Sequence, residues 1–213
     1  MTPSRIWWIA ALLPHMGCAI LFKSDAFVPR YFSLESTATP AEPIAACGLE
    51  LRLGRINAAA YIKDRIVFRE SAYEVGYYEE RRWTEMPESY VRRELSRALF
   101  DRRGVRQIMY GPGTALDVDL VAFEEVRVPK HVGRVELRFV VVGDRSVRFT
   151  RSIAVERAVG NVTGDAAAGA IVQALSTAMV EAVDTLAERT VEELRIEAST
   201  RGPDAGAATP TCE

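Results

Sequence analysis

Histidine is scarce in this sequence: two occur in 213 residues, and only His131 lies beyond the first seventeen. A metal centre needs several ligands, so a histidine-built site is excluded. A Ser-His-Asp hydrolase would have to use His131 as its base, and no Gly-x-Ser-x-Gly elbow accompanies it. The three cysteines, Cys18, Cys47 and Cys212, match no zinc or redox spacing. No basic excess exists either. The net charge is −2, which excludes a general nucleic-acid binder, because phosphate contacts need a surplus of Lys and Arg. A phosphate-cradling loop is missing too. Gly111-Pro112-Gly113 carries no Lys-Ser/Thr at the right spacing, and Pro112 removes a needed amide donor. No internal repeat is visible, and the length suits one domain with short tails.

What is present begins with the leader. MTPSR ends in Arg5, and IWWIAALL follows as a compact apolar run. A basic start, an apolar stretch and a small residue at the cut make a secretory signal. Gly17 supplies the small residue, and Cys18 after it points to a lipoprotein, whose thiol is alkylated with diacylglycerol before cleavage. His15 stands where the usual lipoprotein box has Leu. An uncleaved anchor fits less well, because Pro14 and His15 interrupt a run that falls short of the roughly 20 apolar residues of a span. Each buried methylene of an acyl chain contributes about 0.8 kcal/mol, so two or three chains hold the protein at a membrane. Ala19, rather than aspartate, follows the cysteine, which favours the outer membrane. Once Cys18 is acylated, Cys47 and Cys212 remain. Two unpaired cysteines are expected, although an oxidising periplasm would let them pair.

Beyond the leader, residues 31–36 read as a first strand and residues 37–43 as a proline-bearing loop. Leu49, Leu51 and Leu53 alternate with polar residues, the pattern of a half-buried strand. Residues 66–70 and 73–79 form a strand pair across Ser71-Ala72. Tyr73, Val75 and Tyr77 either pack in the core or, with the neighbouring charges, meet a protein or lipid headgroup. Pro87 opens a helix whose apolar face is Val91, Leu95, Ala98 and Leu99, and Gly104 closes it. Arg92, Arg93, Glu94 and Arg97 form its solvated face. Residues 106–110, 116–120, 135–141 and 146–153 give further strands, an antiparallel meander joined by short connections. Asp117 and Asp119 share one side of their strand, where a solvated face is expected and acid–base work is the lesser reading. Asp165 caps a final helix over residues 166–196, about 45 Å long, with Ile171, Leu175, Ala178, Ala182 and Leu186 in one stripe. The fold class is therefore α/β (α+β): one domain, an antiparallel or mixed sheet with two main helices on one face. Its parts are a signal peptide (1–17), a lipidated tether (18–30), the domain (31–197) and a disordered tail (198–213).

Residues 66–102, IVFRESAYEVGYYEERRWTEMPESYVRRELSRALFDR, carry a recognisable order. An apolar pair (Ile66, Val67) precedes Arg69, then Tyr77, Arg82-Trp83 with Glu85 and Pro87 close behind, then Leu95 and Leu99. This pattern resembles the ABC-type transport auxiliary lipoprotein family, the lipoprotein component of paraquat-inducible-type intermembrane transport systems. The early Tyr31-Phe32-Ser33-Leu34 and the long alanine-rich last helix fit as well. The stretch 47–64 departs from the family's proline-and-tyrosine spacing. The resemblance implies a periplasm-facing lipoprotein without enzymatic activity or cofactor, anchored through Cys18. Its implied partners are a mammalian-cell-entry (MCE) domain protein and an ABC permease and ATPase, and self-association stays open. Arg69, Arg82, Trp83 and Pro87 are the signature positions, either for a partner or for structure. A cell-envelope scaffold and a periplasmic hydrolase using Asp117, Asp119 and His131 are the alternatives.

Overall fold

The computed structural model describes residues 28–34, 47–143 and 146–200. Its centre is β6 (Ala115–Val126), which is hydrogen-bonded along both edges. On one edge runs β7 (Val132–Val142), antiparallel, followed by β8 (Val147–Ala158). On the other edge two shorter strands lie end to end, both parallel to β6. The first is β2 (Glu50–Ala58), against Ala115 to Leu120, and the second is β3 (Arg65–Arg69), against Glu124 to Val126. Between them the Ala59 amide still donates to the Leu120 carbonyl, so the two strands follow one track with a break in it.

Outside that track the sheet divides. β4 (Val75–Trp83) pairs antiparallel with β3, and β1 (Arg30–Phe32) pairs parallel with β4. Among the described residues, β2 has beside it on that edge β5 (Arg106–Gln107), parallel, against Glu50 and Leu51. The sheet is therefore mixed and open. The expected meander holds for β6, β7 and β8, whereas four of the remaining pairings are parallel. Three of those pairings span α1 and the fourth, β1 with β4, spans β2 and β3, long connections that strand periodicity cannot reveal.

α1 (Pro87–Ser96) continues into a π-helical turn, Arg97–Asp101, and Gly104 follows with a positive φ of 63°. Val91, Leu95, Ala98 and Leu99 are buried as the periodicity requires. Glu94 is a correction to the solvated face. It is buried and bonded to Arg97 at 2.9 Å, so it supports the helix end. α2 (Asp165–Thr200) is longer than expected at its end. It is long and apolar enough to cross a bilayer. Here its Ile171, Leu175, Ala178, Ala182 and Leu186 stripe lies buried in one core with Leu116, Leu120, Leu137 and Phe139 of the sheet. That packing accounts for the apolar composition. α1 and α2 touch each other and cover the same face. The opposite face carries Asp117, Asp119, Glu136 and Arg138 and is polar.

Several expected strands are shorter: β1 ends at Phe32 and β5 at Gln107, leaving Met109 and Tyr110 exposed. Tyr73 lies in the β3–β4 turn and is 98% exposed, and Tyr77 is also exposed, so they do not pack in the core. Tyr78, one residue over, takes the inward role, with its ring edge-on to Phe68. Cys47 is buried and disulfide-bonded, contrary to the expectation of free thiols, and its partner lies outside the described residues. The leader with Cys18, the 37–43 loop, the Asp144 turn position, the Asp165 side chain and the tail beyond residue 200 also lie outside them.

Gly133 in β7 fixes how closely α2 approaches. A Cβ there would sit 2.9 Å from the Leu175 amide nitrogen and 3.0 Å from the Ala174 carbonyl carbon, and backbone atoms cannot turn aside. Gly133→Ala is expected to destabilise the protein by about 1–3 kcal/mol, the range of core overpacking. Urea denaturation checks this; an unchanged midpoint would show that α2 does not rest on the strand there.

Candidate functional site

The signature residues converge on the corner where β4 turns into α1. The Trp83 amide bonds to the Asp64 carbonyl, and the Arg82 guanidinium pairs with the Asp64 carboxylate across the β3–β4 track. Trp83 is buried, its ring centroid 4.9 Å from that of Phe123 in β6 and 6.2 Å from that of Tyr90 in α1. The Tyr90 hydroxyl meets Thr84 Oγ1 at 2.9 Å, and the Thr84 amide bonds to Phe32 of β1. Glu85 receives both oxygens' worth of contact from Arg93 Nη1, at 2.8 and 2.9 Å. Pro87 sits buried at the first turn, where its missing amide hydrogen has no helical partner to lose. Arg82, Trp83 and Pro87 thus join sheet to helix, and the aromatic wedge between them carries the packing.

Arg69, the fourth signature residue, belongs to a different cluster. Glu124 and Glu125 are adjacent in β6 and both are buried. Successive strand residues point to opposite faces, so each carboxylate is met by its own partners. Arg69 grips Glu124 with Nε to Oε1 at 2.7 Å and Nη2 to Oε2 at 3.0 Å. The Tyr61 hydroxyl donates to the Val121 carbonyl at 2.9 Å and lies 3.3 Å from Glu124 Oε2. On the other face the Tyr78 hydroxyl donates to Glu125 Oε2 at 2.6 Å, and His131 Nε2 lies 2.6 Å from Oε1. Arg127 reaches Glu125 at 3.4 Å, pairs with Glu70, donates to the Tyr78 oxygen at 2.8 Å and stacks over Phe68 at 3.8 Å.

These surroundings shift the titrating groups. Burial, and after it the Glu124 charge, pushes the Tyr61 phenol up to about 12. Burial likewise raises Tyr78, with the bond to Glu125 adding to it. Arg69 is raised chiefly by its hydrogen bond to Glu124. Burial opposes the charge on Arg127, but its bonds to Tyr78 and Glu70 outweigh that and raise it. The two phenols are thereby kept neutral as donors, and the two guanidiniums are kept charged.

The hydrolase residues are not brought together. Asp117 is engaged by Arg55, and Asp119 faces the Asn57 side chain at 3.5 Å. His131 sits at the far end of β7, seven strand residues from the partner of Asp119, or roughly 20 Å away. No metal-ligating cluster occurs among the described residues. Sequence reading missed Glu124, Glu125, Tyr61 and Arg127. The run Phe123-Glu124-Glu125-Val126 breaks the alternation of β6, and that break was the available signal.

The chain is thus a mixed sheet backed by two helices, with Arg69, Arg82, Trp83 and Pro87 engaged in ion pairs and in packing the β4–α1 corner. The chain belongs to the ABC-type transport auxiliary lipoprotein component family, whose model matches residues 32–187. Its members are lipoproteins of the cell envelope. Among solved structures it is similar to a Xanthomonas campestris protein of the family DUF330, with a TM-score of 0.67 and 18% identity, covering 80% of this chain and 99% of that one. A hypothetical protein from Chlamydia trachomatis matches at TM-score 0.50 and 8% identity, over 68% and 97% of the two chains. These likenesses concern the fold alone. No curated protein sequence matches the chain.

Removing one partner of a buried ion pair strands the other. Arg69→Ala is therefore expected to cost about 3 kcal/mol, while Arg69→Met with Glu124→Leu recovers most of it. Urea denaturation of the two variants tests this; equal losses would show that the pair is not coupled. The second expectation concerns alkaline pH. Below pH 10 Tyr61 is protonated in both the folded and unfolded chains. From there to about 12 the unfolded chain loses the proton first, so stability falls. Absorbance titration of the phenols should show one tyrosine ionising near 12 that is missing in Tyr61→Phe; identical titration curves would refute it.

Proposed function

We propose that this protein is the lipid-anchored accessory subunit of an ABC transporter that moves a hydrophobic molecule, such as a phospholipid, between membranes together with an MCE-domain protein. The observation that carries the reading is the family match over residues 32–187 behind a leader ending in Gly17-Cys18. The anchor is the diacylglyceryl thioether on Cys18, and the outer membrane is its location. The domain (31–197) contributes assembly rather than chemistry. Arg82, Trp83 and Pro87 hold the corner that presents α1, Arg69 pairs with Glu124, and Asp117, Asp119 and His131 have structural partners.

Affinity purification of the full chain from detergent-solubilised membranes is expected to bring down a permease, an ATPase and an MCE-domain protein. Mass spectrometry of the same material should find Cys18 acylated at the mature N-terminus. Cys18→Ala should move the protein out of the membrane fraction. A full complement of acylated protein without any transporter subunit would favour an envelope scaffold instead, and an intact Met1 would remove the anchor.

A further inference from the structure

β5 covers only Glu50 and Leu51 of β2, so from Arg52 onward the outer edge of β2 has no strand beside it among the described residues. A cleft of about 620 Å³ opens there, between β2, β5, the start of β6 and α1. A bulge shapes it. The β2–β6 register shifts between Leu53 and Ile56, and Asp117 Oδ1 takes the Arg55 amide at 2.8 Å. Glycine at 54 leaves room for that carboxylate: a Cβ there would lie 2.1 Å from its oxygen, so any other residue would have to displace the Asp117 side chain. Arg92 of α1 leans over the bulge and donates to the Gly54 carbonyl at 3.3 Å.

Three guanidiniums line this cleft, Arg52, Arg55 and Arg92, against one carboxylate, Asp117. Asp117 is taken up by Arg55, through its amide and at 3.2 Å through Nη2. Among the described residues no carboxylate pairs with Arg52 or Arg92, and the cleft keeps a balance of two positive charges. A solvated arginine keeps water on every nitrogen. Arg52 does not: its Nε is out of solvent and has no partner. A buried donor left open in this way costs free energy unless a ligand meets it. A concave wall also concentrates the field of the two charges, and the guanidinium fork matches the oxygens of a phosphate.

We infer that this notch binds a phosphate group through Arg52 and Arg92. The inference stands on the two arginines and goes beyond the transport reading. Two sources share the chemistry, the phosphodiester of a lipid headgroup and free phosphate, and the test separates them. The full chain in nonionic detergent is titrated by calorimetry with glycerophosphoglycerol, a deacylated headgroup, and with inorganic phosphate. Saturable binding that weakens with added salt is expected. Losing one charge-assisted contact should weaken it about tenfold in Arg52→Gln and in Arg92→Gln. Arg52→Lys, which keeps the charge and the aliphatic stem, should lose less, and Arg138→Gln on the polar sheet face should lose nothing. Tighter binding of the diester assigns the site to lipid headgroups, and tighter binding of inorganic phosphate assigns it to the free ion. Absence of saturation with both probes would overturn the inference. So would affinities unchanged in both glutamine variants, or an equal loss in Arg138→Gln. Transporter subunits still co-purifying with the glutamine variants would separate that failure from failure of the proposed function.

Discussion

Adjacent residues of a strand face opposite sides of the sheet, so Glu124 and Glu125 place one carboxylate on each side of β6. Both are buried, and an unpaired buried charge costs several kcal/mol. Each therefore needs a cation and hydrogen-bond donors brought to it, and the topology at that end of the molecule supplies them. β3 must run beside β6 for Arg69 to reach Glu124 with both arms of its fork. β4 must turn back along β3 to place the Tyr78 hydroxyl on Glu125, and the β6–β7 turn must return His131 to the same carboxylate. Such pairs add little net stability against an apolar substitute, but they penalise any register that separates them. A slip of β3 along β6 by one residue would turn Arg69 to the wrong face.

The Arg-Trp…Pro order acquires a physical meaning from the same geometry. Arg82 and Trp83 end β4 against Asp64, immediately before β3, and Pro87 starts α1 four residues later. Trp83 touches β6 through Phe123 and α1 through Tyr90, so one side chain joins the central strand to the helix. A corner built by packing leaves a diffuse sequence pattern, because packing tolerates exchange of similar residues. Through Trp83 and Pro87 it fixes the angle at which α1 leaves the sheet.

Which parts of the fold could be read from the sequence follows from the range of the interactions. β7 and the first half of β6 have clean alternation, and α2 has a clean stripe, because one face of each meets a continuous core. Pro87 marked its helix through a local steric rule. The parallel placement of β2 and β3 along β6 left no local trace, since partners some sixty residues apart share no period. The glutamate pair escaped for a related reason. A bulge between Leu120 and Ala122 resets the alternation of β6, and the acids after it look like the start of a turn. Tyr77 and Tyr78 exchanged roles because Gly76 lies opposite Phe68, which leaves the Phe68 ring to be covered from Tyr78.

A sheet covered by helices on one face only leaves its other face and its divided edge to solvent or to partners. The open face is laced with its own ion pairs and hydrogen bonds, such as Arg55 with Asp117 and Arg134 with Glu136, and charges already matched gain little from a partner. The divided edge differs. Because β5 covers only the start of β2, a cleft opens between β2, β5, the start of β6 and α1, and the bulge at Gly54 lies in its wall. Two arginines without a carboxylate among the described residues, Arg52 and Arg92, therefore line a cleft at the place where the strand order breaks, as ligand sites of open sheets lie at their own breaks in strand order.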